Sequence, residues 1–195
     1  NIKINIGTTY TKDFSSYYDF DSNLSLVKNI INLKKVVIAK SYEMLDTTDT
    51  TNALPDYTFN AYYDVTSNSI NILTGSTKVI KDINNKYENL GSIGFIIAHE
   101  ISHAFDNNGS KFDENGLLNN WYTPASQEKY QEIQNKVIDY YNDYEIIHNI
   151  SNNGTRTIGE NIADLGAMEC ITNILIKKGI DANIFLGGMF SGLAS

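Results

Sequence analysis

Apolar residues recur along most of the chain with the three-to-four-residue spacing of amphipathic helices. This spacing predicts a long helix over 21–45, a largely apolar and therefore buried helix over 90–106, and a helix over 123–144. A fourth helix is predicted over 158–178, where two lysines and a glycine form a typical C-terminal stop, and a last helix from Asp181. The pattern therefore predicts a mainly helical protein.

Two short segments, 57–65 and 69–73, are typical of β-strands and are separated by the polar turn 66–68. They predict a β-hairpin at the edge of a sheet. Stretches rich in polar residues and glycine, at 107–120 and 148–156, predict loops. We therefore predict a mainly α fold with a small β-sheet, of the α+β class.

The chain has 195 residues, 42% of them hydrophobic and 19% charged, which is ordinary usage for one packed domain over residues 1–195. Its 15 Lys and Arg against 23 Asp and Glu give a net charge of -8, so we expect no nucleic-acid partner. No apolar run approaches the roughly 18 to 20 residues that cross a bilayer, so we expect no transmembrane segment. A single cysteine leaves the compartment open, and no pattern fixes an oligomeric state.

Residues 99–103 read His-Glu-Ile-Ser-His within the predicted buried helix. Residues four apart lie on the same face of a helix, so His99 and His103 can bind one ion while Glu100 projects beside them as a base. This spacing is typical of a zinc site. The alternative is a pair of surface histidines, or of core histidines with polar partners.

A catalytic zinc ion needs a third protein ligand, and the candidate is Glu160. Glu160 and Asp164 share a helix face by their spacing, so one carboxylate can bind the metal while the other orients an imidazole. Thr157 and Glu160 also fit the Ser/Thr-x-x-Glu capping box, in which Glu160 caps its own helix and binds no metal. The spacing alone leaves both interpretations open.

Several further motifs stand around the His-Glu-Ile-Ser-His segment in a fixed order. They are Asn-Ala-Tyr-Tyr at 60–63, Ala-Phe-Asp-Asn-Asn-Gly at 104–109, Phe-Asp at 112–113, Asn-Gly at 115–116, Trp-Tyr-Thr at 121–123 and Gly-Glu-Asn-Ile-Ala-Asp at 159–164. In this order and spacing, the chain resembles the catalytic domain of the neprilysin family of zinc endopeptidases. The resemblance runs from about Asn60 to Asp164 and covers more than half of the chain.

The resemblance implies a thermolysin-like zincin domain that binds one zinc ion per chain and cuts peptide substrates. Carried over by position, His99, His103 and Glu160 are the expected zinc ligands. Glu100 is expected to polarise the attacking water and to pass its proton to the leaving amine. The resemblance also favours an extracytoplasmic or secreted location.

The same carry-over assigns supporting roles. Asp164 is expected to hydrogen-bond His99, and Asp106 to support His103, which would fix the tautomer of each imidazole. Asn60, through its side chain, and Ala61, through its carbonyl, are expected to hold the backbone of a substrate along the edge strand.

Phe95 and Ile96 lie one helical turn before the metal motif. They could form apolar walls of a pocket for the substrate residue after the scissile bond. The alternative is core packing, because apolar residues on a central helix usually face the interior.

The sequence also departs from the family. The histidine that stabilises the oxyanion and the arginine that grips a substrate carbonyl, both after the Glu-x-x-x-Asp motif in family members, have no counterpart up to Ser195. The family's large helical covering domain has none either. We therefore expect a fragment or a short form, and the alternative function is a catalytically weak or silent, zinc-stabilised domain that binds peptides.

Overall fold

The structure is a computed structural model that describes residues 2–7, 18–43, 57–80, 84–148 and 150–193. The chain divides into two compact units, one made of Asn1–Gly7 and Tyr57–Ser195, the other of Thr8–Asp56. The prediction of one catalytic domain over 1–195 stays a prediction.

The smaller unit contains one described helix, α1 (Leu26–Glu43). It begins later than predicted, because the preceding residues form a turn around the buried side chain of Asn29. This side chain accepts a hydrogen bond from the backbone N–H of Asp21 at 3.0 Å and donates one to the Asp21 carbonyl at 2.9 Å. The predicted end at Leu45 lies outside the described residues.

The larger unit contains a three-stranded sheet of β1 (Lys3–Ile6), β2 (Ala61–Asp64) and β3 (Ser69–Ile72), in the order β1-β3-β2. β2 and β3 form the predicted antiparallel hairpin, with Ala61 opposite Ile72. β2 is an edge strand of this sheet, as predicted. β1 pairs in parallel with β3 and was not predicted, because such distant pairing leaves no local signal.

The predicted helix over 90–106 is two helices, α2 (Lys86–Gly91) and α3 (Ile93–Ser102), followed by a 3-10 turn. The break falls at Ser92. Gly91 lies directly against the last helix, where a Cβ would stand 2.1 Å from the carbonyl oxygen of Phe185. Tight packing against a distant element therefore ends α2 at a point that the apolar pattern does not mark.

The remaining α-helices and strands are α4 (Pro124–Asn142), a small ribbon of β4 (Glu145–Ile147) and β5 (Ile150–Ser151), α5 (Gly154–Lys178) and α6 (Ala182–Leu193). β5 lies within the predicted loop 148–156, and β4 lies just before it. α4 has the predicted Thr123 cap, and α5 ends at Gly179 in the left-handed conformation, as predicted. α5 begins four residues earlier than predicted, because Asn153 caps it.

The core lies where α3, α5 and α6 meet. Its buried members come from all three helices: Ala98, Ala167, Ile171, Leu175 and Phe185. α3 and α5 approach so closely that a Cβ on Gly166 would stand 2.6 Å from Ser102 Oγ. This close contact positions the candidate site, because both helices carry its residues.

The mainly α fold with a small mixed sheet confirms the predicted class. Among the described residues, no helix combines the length and the apolar character that crossing a membrane requires.

Candidate functional site

Two histidines and one glutamate converge where α3 meets α5. His99 lies on α3 and His103 on the turn that ends it, so their rings are neighbours with centroids 4.6 Å apart. Glu160 reaches over from α5. Its Oε2 lies 3.3 Å from His99 Nε2 and 3.7 Å from His103 Nε2. One carboxylate oxygen therefore faces both imidazoles.

The other nitrogen of each imidazole is held by a carboxylate. His99 Nδ1 lies 2.8 Å from Asp164 Oδ1, and His103 Nδ1 lies 2.7 Å from Asp106 Oδ2. Because an ionised carboxylate can only accept, Nδ1 carries the hydrogen in each ring, and the lone pair of the neutral ring is on Nε2. Both Nε2 lone pairs are thus available beside Glu160.

Burial disfavours the charged form of both imidazoles and lowers their pKa values, but the neighbouring carboxylates together raise these pKa values by more. For His99, the hydrogen bond and charge of Asp164 raise the pKa above its ordinary value despite burial. For His103, burial is the largest single cause and lowers the pKa, but the hydrogen bond to Asp106 and the negative charges of Glu100 and Asp106 together raise the pKa by more, so the net shift is upwards. The same carboxylates increase the basicity of the rings as metal ligands.

Asp106 is itself fixed by the loop that follows His103. Its Oδ1 accepts hydrogen bonds from the backbone N–H groups of Asn108 and Gly109, both at 2.7 Å. Although Asp106 is buried, which raises the pKa of its carboxyl, the bonds from His103 and these two N–H groups lower it below the ordinary value overall. Gly109 is required there, because a Cβ would stand 1.9 Å from the carbonyl oxygen of His103.

Glu100 is buried, with 7% of its surface exposed, and it lies beside the two histidines. Donor atoms of His99, Glu100 and His103 all lie within 4.8 Å of one another. Burial raises the pKa of Glu100, and the positive potential of the two histidines and the backbone N–H of Tyr63 offset this only in part. Glu100 can therefore hold a proton more readily than an exposed glutamate.

The residues present fit a zinc ion. Zinc bonds to imidazole nitrogen and carboxylate oxygen at about 2.0–2.1 Å, which in a tetrahedral site separates neighbouring ligand atoms by about 3.3 Å. The two distances from Glu160 to the imidazoles, 3.3 Å and 3.7 Å, match this separation. His99, His103 and Glu160 are the set that could hold the metal.

The capping-box interpretation of Glu160 is wrong. α5 begins at Gly154, and its cap is Asn153, whose side chain accepts from the backbone N–H of Arg156 at 3.0 Å. Glu160 stands nearly two turns inside the helix, and Thr157 bonds back to the Asn153 carbonyl. The side chain of Glu160 is therefore free to face the histidines.

A cavity of about 650 Å³ opens over this group. One wall is strand β2 with the preceding Asn60, and the opposite wall is the first two turns of α5. Asn60 and Ala61 both line the cavity, as the predicted substrate strand requires. The Asn60 carbonyl is already bonded to the backbone N–H of Leu73, at 3.2 Å, which leaves its side chain for other contacts.

Phe95 and Ile96 are not among the described residues that line this cavity. Phe95 packs against the core cluster, with its ring centroid 6.5 Å from that of His99. A role for the pair as pocket walls stays a prediction.

The residues that line the cavity but were not predicted as site residues include Tyr63 and Arg156. Arg156 was assigned to a loop because the predicted start of α5 was too late. With the helix beginning at Gly154, Arg156 and Glu160 are four residues apart on one face. The Asn-Asn-Gly sequence at 152–154 was the available signal, since asparagine is a preferred N-cap residue.

The site combines a His-Glu-x-x-His motif with a glutamate from a second helix, and an edge strand lines the cavity above them. This is the arrangement of a metallopeptidase. Residues 60–180 match the model of Peptidase family M13, and the chain belongs to this family. The resemblance to neprilysins is thereby confirmed.

Similarity to individual proteins supports this family assignment. The chain is similar to a neutral endopeptidase of Lactococcus lactis subsp. cremoris, 33% identical over 168 residues, which covers 83% of this chain and 26% of that protein. It is 38% identical over 113 residues to Neprilysin-2 of Drosophila melanogaster, which covers 56% of this chain and 15% of that protein. The crystal structure of PepO from Lactobacillus rhamnosis superposes with a TM-score of 0.84 at 27% identity, over 98% of this chain and 31% of that chain. The chain thus spans about a quarter of the length of curated relatives such as the Lactococcus endopeptidase.

Proposed function

We propose that this chain carries the active site of a zinc-dependent endopeptidase that hydrolyses peptides. The observation that carries the proposal is the convergence of His99, His103 and Glu160 on one point, with each imidazole oriented by its own carboxylate. Membership of a peptidase family supports it. When bound there, zinc lowers the pKa of a water molecule from about 15.7 towards 7 and polarises the substrate carbonyl.

Glu100 is the proposed general base and acid. Its carboxylate takes the proton of the attacking water and then passes it to the nitrogen of the leaving amine, so that no net proton is consumed within the step. Burial supports this role, because it raises the pKa of Glu100 towards the range in which a carboxyl both accepts and donates.

Strand β2 is the proposed support for the substrate backbone. As an edge strand lining the cavity, it can accept an extended peptide by strand addition. The Asn60 side chain and the Ala61 carbonyl are the proposed contacts. They would hold the scissile bond over Glu100 and the metal ligands.

A second candidate function is a zinc-stabilised peptide-binding domain with little or no turnover. One observation favours it. Among the described residues that line the cavity, the only histidines are the two proposed metal ligands. This lining therefore contains no further histidine that could stabilise an oxyanion. Losing one such donor costs about 100- to 1000-fold in rate.

Replacing Glu100 by glutamine separates the two functions. The zinc-loaded wild type, Glu100→Gln and the matched control Glu132→Gln on the exposed face of α4 are each incubated with a diverse peptide mixture, and products are identified by mass spectrometry. Metal content is measured in parallel. We expect one zinc ion in all three proteins, and cleavage about 100- to 10,000-fold slower in Glu100→Gln only.

Absence of cleavage by the wild type, with one zinc ion bound, would favour the silent domain. His103→Ala is expected to lose the metal under either function, because a ligand is removed. Retention of stoichiometric zinc by this variant would contradict the proposed ligand set.

A further inference from the structure

One side chain gives the cavity a fixed positive charge. Of the described residues that line it, three carry carboxylates, Glu100, Asp106 and Glu160, and Arg156 is the only lysine or arginine. Building on the proposed function, we propose that Arg156 binds a carboxylate of the peptide substrate and so directs the enzyme to peptides with an acidic side chain or a free chain end near the scissile bond.

The carboxylates of the site already have partners. Glu160 faces both imidazoles, Asp164 is bonded to His99, and Asp106 to His103. Within the described part of the chain, no carboxylate forms an ion pair with the Arg156 guanidinium, and the residue is exposed. The guanidinium is therefore available to a ligand.

The helix end itself is not the anion site. The Asn153 side chain and carbonyl both accept from the backbone N–H of Arg156, each at 3.0 Å, and the Asn142 side chain accepts from that of Gly154 at 2.7 Å. These N–H groups are thus occupied. What remains at this edge of the cavity is the side chain of Arg156, whose planar fork of donors matches a carboxylate.

The position of Arg156 limits which part of a substrate it can reach. It precedes Glu160 by one helical turn on the same face, so their Cβ atoms are about 5–6 Å apart. An extended peptide advances about 3.3 Å per residue. A carboxylate held by Arg156 therefore belongs to a residue within about two or three positions of the bond that is cut.

Arg156 supplies a positive charge that an acidic substrate can use. Apart from Arg156 and the histidines, the charged side chains that line the cavity are carboxylates, and the positive charge of a bound zinc ion is shared with Glu160 and Glu100. Like charges in a partly enclosed site repel, and a charge-assisted pair with arginine reverses this effect. The same side chain gives no comparable gain to a peptide that is neutral in this region.

The test compares matched peptides on the zinc-loaded protein. A blocked, neutral peptide that is cleaved is resynthesised with glutamate or glutamine at each of the three positions on either side of the cut, and separately with a free or an amidated C-terminus. Values of kcat and KM are measured for the wild type, Arg156→Gln, Arg156→Lys and the control Lys129→Gln. Lys129 lies exposed on α4, and its replacement changes the net charge by the same amount.

We expect the wild type to prefer the carboxylate peptide at one position by about 10-fold or more in kcat/KM, mainly through KM. Arg156→Gln should lower this preference by about 10-fold or more, Arg156→Lys should keep part of it, and Lys129→Gln should keep all of it. The side-chain and chain-end series identify which carboxylate is bound.

Cleavage of neutral and acidic peptides with no preference that depends on Arg156 would overturn this role and leave the proposed peptidase function standing. Equal loss of preference in Lys129→Gln would also overturn it, because the effect would then come from net charge. Absence of cleavage of every peptide, with zinc bound, would instead refute the proposed function on which the role rests.

Discussion

Replacing Asp106 by asparagine tests whether the loop after His103 determines both metal affinity and stability. Asp106 is 6% exposed and makes three hydrogen bonds of 2.7 Å, to one imidazole and to two backbone N–H groups. Asparagine has nearly the same shape but only one accepting oxygen. Its amide N–H₂ group must therefore face either the ring nitrogen of His103 or the backbone donors.

Asp164→Asn is the matched substitution, because Asp164 supports the other imidazole. Its side chain is 52% exposed and, among the residues that the structure describes, bonds to His99 alone. The asparagine oxygen or water can replace the carboxylate as acceptor, so the expected loss of unfolding free energy in the metal-free protein is about 1 kcal/mol or less. For Asp106→Asn, the loss of a buried hydrogen bond to a charged group predicts about 2 kcal/mol or more.

Both variants should bind zinc about 10- to 100-fold more weakly, because each imidazole loses the negative charge that raises its basicity as a ligand. Zinc affinity is measured by competition with a chelator, and metal-free stability by urea unfolding followed by circular dichroism. Equal destabilisation by the two substitutions, or wild-type zinc affinity in Asp106→Asn, would refute the reasoning that this loop holds His103 in place.

Three further predictions follow from other contacts. Removing zinc with a chelator should lower the calorimetric melting temperature and abolish cleavage, and added zinc should restore both. The expected stabilisation is about 2.7 kcal/mol when the free zinc concentration exceeds Kd 100-fold. An unchanged melting temperature would contradict a metal that is bound only by the folded chain. Gly109→Ala should destabilise the protein and weaken zinc binding, because its Cβ would meet the His103 carbonyl at 1.9 Å, whereas Gly187→Ala, with open space around the Cβ, should not. Tyr130→Phe loses a 2.7 Å bond to the Phe105 carbonyl, which predicts a loss of about 1 kcal/mol at neutral pH. Burial raises the pKa of Tyr130 to about 12 from 10.0, so the stability advantage of the wild type over Tyr130→Phe should shrink as pH rises from 10 towards 12; an advantage that grows over this range would contradict it.

The sequence predicted those parts of the fold that depend on local pattern. The cap at Thr123, the stop at Gly179 and the hairpin of β2 and β3 were all predicted, because each is specified by residues a few positions apart. The parallel strand β1 and the break at Ser92 were not, since both result from pairing or packing with segments far along the chain.

The candidate site likewise has parts that local spacing predicted and one part that it did not. The i, i+4 spacing placed His99 with His103 and Glu160 with Asp164, and the structure brings these two pairs together. What spacing could not supply was the true start of α5, on which the position of Arg156 depends. An error of one helical turn was enough to hide a cavity residue.

The close contact of α3 and α5 at Gly166 and Ser102 has a consequence for the spacing of the proposed metal ligands. These two residues are close in sequence to Asp164 and His103, so the separation of the two helices also sets the distance from the imidazoles to Glu160. A side chain at position 166 would meet Ser102 Oγ and push the helices apart, which would lengthen the 3.3 Å and 3.7 Å distances beyond the separation of about 3.3 Å between neighbouring zinc ligands. A glycine that binds no metal therefore helps to keep the ligands at the spacing that a zinc ion needs.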